Sequence, residues 1–263
     1  MKVRVIALNT IASLVRNRIL ILFLAIFLCV LLLFLTVLAQ QQRAHPRVEM
    51  PGVVLSLVQN IISSVSSFGS LLAAWLGAAA IAEELRSGTI LPVLARPVHR
   101  WEFVLGKYLG VLLMLAVYAL FLDAGFSYAL AALGGQEVLT PPWALFVYPF
   151  VRYAVYAALA LLLGTRMHPV SAFAVVLVAQ VAESLVAPTG ASVTFLPAAV
   201  KELVYTVLPS GYLLAETRFL SITQISLVKT AWTTHAIALA YGLDYALVCF
   251  LLAVWSFQRR SVT

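Results

Sequence analysis

Six stretches of this chain run for about twenty residues with few or no charged side chains, the length that crosses the hydrocarbon core of a bilayer. They fall at about 19–39, 55–82, 103–133, 144–163, 170–186 and 236–257. No soluble core could bury six such segments in 263 residues and still present a polar surface. Only 10% of the residues are charged, against roughly a quarter in a soluble domain. Inside lipid each backbone N–H and C=O must be satisfied within its own segment, and helices do this. The expected fold class is therefore all-α: a polytopic membrane protein with six transmembrane helices. No polar stretch is long enough to form a separate soluble domain, so residues 1–263 read as one transmembrane domain. The first apolar run is too long for a cleavable signal and lacks a small-residue cleavage site. Cys29 and Cys249 lie inside apolar runs and read as small core residues, not as a disulfide or metal pair.

The charges that remain are informative by position. Residues 2–17 place Lys2, Asn9, Thr10, Ser13, Arg16 and Asn17 on one helical arc, with Val5, Leu8, Ile11, Leu14 and Val15 opposite. This predicts a helix in the membrane interface with its polar arc toward headgroups. If the N-terminus is cytoplasmic, eleven of the seventeen Lys and Arg residues lie on that side and five on the other, with Arg152 inside span four. Basic residues accumulate inside, so both termini are predicted to be cytoplasmic and the protein integral to the cytoplasmic (inner) membrane. The net charge of +7 is explained by this topology and by anionic headgroups, with no call for nucleic acid. Residues 187–235, punctuated by Pro188, Pro197 and Pro209, are expected to be an extracytoplasmic segment with short outer-leaflet helices. A hidden seventh crossing in this segment is the alternative.

One polar island stands out between spans two and three: EELRSGTILPVLARPVHRWEFVLGK, Glu83 to Lys107. Gly88 permits a sharp turn out of span two. Pro97 ends a short helix and disfavours helix at Arg96. Glu84 and Arg86 are placed to clamp Arg96 and Arg100 at the base of the loop. Leu91, Val93 and Leu94 are then free to offer an apolar knob to a partner. Read alone, the island is better explained as an ordinary interfacial loop whose charges mark the membrane face.

The order Glu84, Gly88-Thr89, an apolar turn, Pro97, Arg100 and Gly106-Lys107 resembles the signature of ABC transporter permeases of the type 2 exporter class. The basic N-terminus is similar to that family's elbow helix. Leu208-Pro209 resembles its L-P-N segment, with Ser210 in place of Asn, and Phe257-Gln258-Arg259-Arg260 resembles the end of its last span. The resemblance implies a single-domain six-span permease. Two copies pair around a translocation path, and each docks a separate cytoplasmic ABC ATPase subunit. Residues 83–102 would be the coupling loop, with Glu84, Gly88, Thr89, Leu91, Leu94, Pro97, Arg100 and Lys107 contacting the ATPase. ATP and Mg would be used by that partner, since this chain has no phosphate loop: Gly106-Lys107 is followed by Tyr108. No cofactor is expected in the chain itself.

Asp123, Arg152, Glu183 and Asp244 lie within or near spans, where ionisable groups are costly and face partners or cavities. Asp123 and Arg152 stand at similar depth on consecutive antiparallel spans and are predicted to pair, either as a register-fixing contact or as the lining of an outer vestibule. The serines of span two either line a path or permit close helix packing. Enzyme readings fail on spacing. Glu83-Glu84 lacks the Arg four residues later that an intramembrane double-Glu protease needs. Ser210-Gly211 lacks the upstream Gly of a rhomboid-like nucleophile, and the four His residues are scattered. Two functions remain from different classes: a transporter subunit, and an ATPase-driven membrane scaffold that moves no substrate.

Overall fold

The fold is seen in a computed structural model that describes residues 2–15, 18–44, 52–87, 99–132, 143–186, 202, 208–211, 213–214 and 232–259. These form seven helices: α1 (Lys2–Val15), α2 (Arg18–Ala44), α3 (Gly52–Ser87), α4 (Arg100–Ala132), α5 (Ala144–Gly164), α6 (Pro169–Val186) and α7 (Trp232–Gln258). The described residues contain no strand. Four helices carry segments long and apolar enough to cross a membrane: Ile61–Ala82, Arg100–Tyr128, Leu145–Gly164 and Trp232–Gln258. The protein is thus an all-helical, polytopic membrane protein.

Outward-facing apolar stripes explain why these helices need lipid. Leu109, Leu113, Val117, Leu120 and Phe121 are exposed along α4, and Leu243, Leu247, Leu251 and Trp255 along α7. Spacings of three and four residues keep each stripe on one helix face. The opposite faces close on a common core, so these helices are apolar on both sides, as expected in a bilayer.

The centre of the bundle is a seam between α3 and α5. Its side chains are small: Ala73, Ala74 and Ala78 on α3 meet Ala157 and Ala158 on α5, all buried. A Cβ on Gly77 would strike the carbonyl of Ala157, and one on Gly164 would lie 2.7 Å from the carbonyl oxygen of Ala78. Two backbones this close gain dispersion and weak polar contacts along their length, the form of helix association that remains effective in lipid. Larger rings fill the flanks, where Tyr148, Tyr153 and Tyr156 of α5 are almost fully buried.

The contacts also fix helix direction. Gln180 of α6 bonds Ser70 of α3, whereas Phe173 meets Trp75 edge-on. These two helices therefore run antiparallel. Trp143 at the start of α5 stacks on Trp232 at the start of α7, so α5 and α7 run parallel. The end of α6 and the start of α7 thus lie at the same end of the bundle, which argues against a net seventh crossing between them.

Several boundaries differ from the sequence-based expectation. The 83–102 loop is shorter than expected, because α3 continues through Ser87 and α4 begins at Arg100. His99 donates its backbone N–H to Glu102 Oε2 at 3.0 Å, a side-chain cap that starts α4 early. His235, expected at the end of the 187–235 segment just before span six, is buried in the first turn of α7. Cys249 is buried as expected, but Cys29 is exposed on α2. The polar arc of α1 also departs from expectation. Thr10, expected on the headgroup-facing arc, is 1% exposed and packed over Gly110 of α4. The Thr10 hydroxyl donates to the carbonyl of Ile6, which removes the cost of burying it.

Candidate functional site

The polar side chains collect at one end of the bundle and in a layer at mid-height. At the end, Glu84 of α3 accepts a hydrogen bond and ion pair from Lys107 of α4. Lys107 is 5% exposed, and a buried ammonium persists only with such a partner. Glu84 of the expected clamp is thus paired with Lys107, while Arg96, one of the two cations expected there, lies outside the described residues. Arg100 instead donates from Nη1 to the carbonyl oxygen of Gln258, 3.0 Å away in the last turn of α7. Phe103 and Phe257 stack beside this link, with ring centroids 5.7 Å apart. Arg166 Nε, after α5, donates to Ser256 Oγ at 2.8 Å, and Thr165 bonds the same hydroxyl. The ends of α3, α5 and α7 and the start of α4 therefore form one bonded plate. Gly88, Thr89, Leu91, Leu94 and Pro97, the remaining candidate coupling residues, lie outside the described residues.

The mid-height layer centres on Arg152, which is 7% exposed. Its Nη2 donates to Ser66 Oγ of α3, and Tyr153 OH donates to the same oxygen at 3.4 Å. The predicted Asp123–Arg152 pair is not formed. Asp123 Oδ1 is buried with no hydrogen-bond partner. Equal depth on neighbouring spans sets the height of two side chains but not the direction in which each points, and Arg152 points into α3. One turn along α5, Tyr156 OH donates to Glu183 Oε2 of α6 at 2.6 Å. Arg152 and Glu183 thus belong to one layer, bridged by the face of α5. Asp244 does not join it, being exposed on α7.

Residues 208–211 and 213–214 lie against this layer. The backbone N–H of Ser210 donates to Tyr241 OH at 2.8 Å. Gly211 lies so close to Glu183 that a Cβ would sit 2.8 Å from Oε2 and 3.1 Å from Tyr156 OH. A side chain here would have to displace the Glu183 carboxylate. The serines of span two fall into two groups. Ser66 and Ser70 are fully buried in hydrogen bonds. Ser64 and Ser67 line a cavity of about 360 Å³ between α3 and α6, with Phe68, Leu71, Leu177, Gln180 and Val181. Among the described residues, no three His, Cys, Asp or Glu side chains gather as a metal site would require.

The Tyr148–His235 hydrogen bond, inside a cluster with Trp143 and Trp232, had no signal in the sequence. The packing of α1 on α4 did have one. Gly106 and Gly110 are four residues apart, and a Cβ at either would collide with Ile6 or Thr10.

Residues 4–262 match the profile of the ABC-2 family transporter proteins. The chain belongs to that family. The match covers nearly the whole chain, including both the bonded plate and the mid-height layer. A comparison with curated proteins finds no match. As an ABC-2 family membrane protein, the chain has the character of a permease subunit, the type of transporter component whose helices span the bilayer.

Proposed function

We propose that this chain is the membrane-spanning subunit of an ATP-driven exporter. In this reading six helices cross the inner membrane, α1 is an elbow helix, and both termini are cytoplasmic. Two copies pair around the translocation path. A separate cytoplasmic ABC ATPase docks at residues 83–102, and it alone binds ATP and Mg. The chain performs no chemistry of its own.

The observation that carries this reading is the bonded plate formed by the end of α3 and the start of α4, the two described elements that flank residues 88–98 in the chain. A partner pushing there acts on the Glu84–Lys107 pair and on the Arg100–Gln258 link together. The end of α3 and the start of α4 would then move with α7, not as a free loop. The Ser- and Gln-bearing cavity between α3 and α6 gives an amphipathic cargo a place to contact the bundle. The test is copurification with the ATPase subunit, followed by stimulated ATP hydrolysis in Arg100→Glu and Leu94→Asp. Both variants are expected to weaken association or uncouple hydrolysis. Unchanged association and hydrolysis in both would sink the docking assignment.

A further inference from the structure

A second cavity, of about 280 Å³, lies where α1 crosses the ends of α3 and α4. Thr10, Ser13 and Leu14 of α1, Ala79, Ala80 and Glu84 of α3, and Lys107 of α4 line it. At ~30 Å³ per water it has room for roughly nine, far more than a bridging water or two needs. It is neither a gap in an apolar core nor a simple anion pocket, because its walls carry both signs of charge.

The hydrogen-bond capacity of the walls is lopsided. Thr10 donates its hydroxyl hydrogen to the carbonyl of Ile6 at 2.8 Å. Ser13 donates its own to the carbonyl of Thr10 at 2.9 Å. Both hydroxyl oxygens keep only acceptor capacity. The Glu84 carboxylate is also an acceptor. On the donor side stands Lys107, an ammonium with three hydrogens, one of which goes to Glu84. A complementary ligand therefore carries a cationic N–H donor for the α1 hydroxyls and Glu84, and an anionic oxygen for Lys107. It also needs an apolar portion to lie along Leu14, Ala79 and Ala80.

We infer that this cavity binds a phosphoethanolamine group, supplied by an ethanolamine phospholipid of the adjacent leaflet. The phosphate faces Lys107, and the primary ammonium faces Ser13, Thr10 and Glu84. Choline lacks the N–H donors and glycerol lacks the positive charge, so the site discriminates between headgroups. The inference rests on the reading above that α1 lies at a headgroup layer. It adds a lipid contact that ties α1 to the Glu84–Lys107 pair.

Native mass spectrometry of the detergent-purified full chain tests it. The protein is exposed to equal amounts of phosphatidylethanolamine, phosphatidylcholine and phosphatidylglycerol, and separately to soluble phosphoethanolamine. Ethanolamine lipid is expected to be retained about tenfold over choline lipid, the size of one charge-assisted hydrogen bond. Ala80→Leu, which fills the cavity, should abolish that preference. Thr10→Val/Ser13→Ala removes the hydroxyl acceptors, leaves Glu84, and should cut the preference even if the larger residue prevents folding. Equal retention of all three lipids, or a preference that survives both variants, overturns the site. Retention of soluble phosphoethanolamine without the lipid overturns the membrane source. Loss of ATPase association in Ala80→Leu with no lipid preference in the parent overturns the site in favour of a protein contact. Labelling Asn9→Cys from either side of sealed vesicles reports the topology separately, so a wrong leaflet and an empty cavity give different results.

Discussion

Arg100 and Gln258 are 158 positions apart in the chain, yet the guanidinium of one donates to the backbone carbonyl of the other at 3.0 Å. The acceptor is a carbonyl in the last turn of α7, where the helix leaves its final C=O groups without internal partners. A cation at a helix C-terminus is also favoured by the helix dipole. Arg100→Ala removes both effects and is expected to cost about 1 kcal/mol. Phe257→Ala, which empties the fully buried ring site beside it, should cost more, about 3–5 kcal/mol. Thermal unfolding in detergent ranks the two, and a larger loss in Arg100→Ala would reverse this assignment of the energy.

The seam between α3 and α5 makes a steric prediction. Gly164→Ala puts a methyl group 2.7 Å from the carbonyl oxygen of Ala78, and neither backbone can move away without opening the bundle. Overpacking of this kind costs roughly 1–3 kcal/mol. The fraction folded in a denaturing-detergent titration should fall accordingly. A variant as stable as the parent would mean that the helices are not in backbone contact.

Arg152 donates to Ser66, and its predicted pair with Asp123 is not formed. Reversing both charges, Asp123→Arg with Arg152→Asp, is expected to give a protein no better folded than the worse single variant. Ser66→Ala alone should destabilise by about 1–3 kcal/mol, because a buried donor loses its acceptor. Rescue in the charge-swapped double variant would restore the Asp123 pairing.

Tyr156, Glu183 and Gly211 should behave as a unit. Tyr156→Phe removes the 2.6 Å hydrogen bond to Glu183, and Gly211→Ala pushes on the same carboxylate. Groups that share a partner are not additive. The double variant is expected to be less destabilised than the two singles summed, by about 0.5–3 kcal/mol. Additive losses in a double-mutant cycle would show that the 208–214 segment is held independently.

The helices were legible in the sequence because lipid imposes a length and a polarity on each of them. Their faces were less so. Depth counting put Asp123 and Arg152 level, but azimuth depends on which neighbour packs closest, and the small-residue seam drew α5 onto α3. Thr10 was assigned to the polar arc of α1 by its hydroxyl. Burial was open to it because that hydroxyl bonds within its own helix, and because Gly106 and Gly110 leave a groove of matching size. Glu84 and Lys107 were both singled out by motif, yet their mutual pairing requires knowing that α3 continues to Ser87 and α4 starts at Arg100. Those boundaries depend on local caps, such as Glu102 on His99, that a span-counting argument passes over.

The parallel course of α5 and α7 has a mechanical meaning. α7 is 27 residues long, a rod of about 40 Å. Its foot is tied to α4 by Arg100, and at its head His235 packs against Trp143 and Tyr148. A displacement applied at the foot would arrive at the head with no intervening joint. In the proposed exporter, such a strut would let an engine on one face of the membrane work a gate on the other, and the signal it carried would be movement, not chemistry.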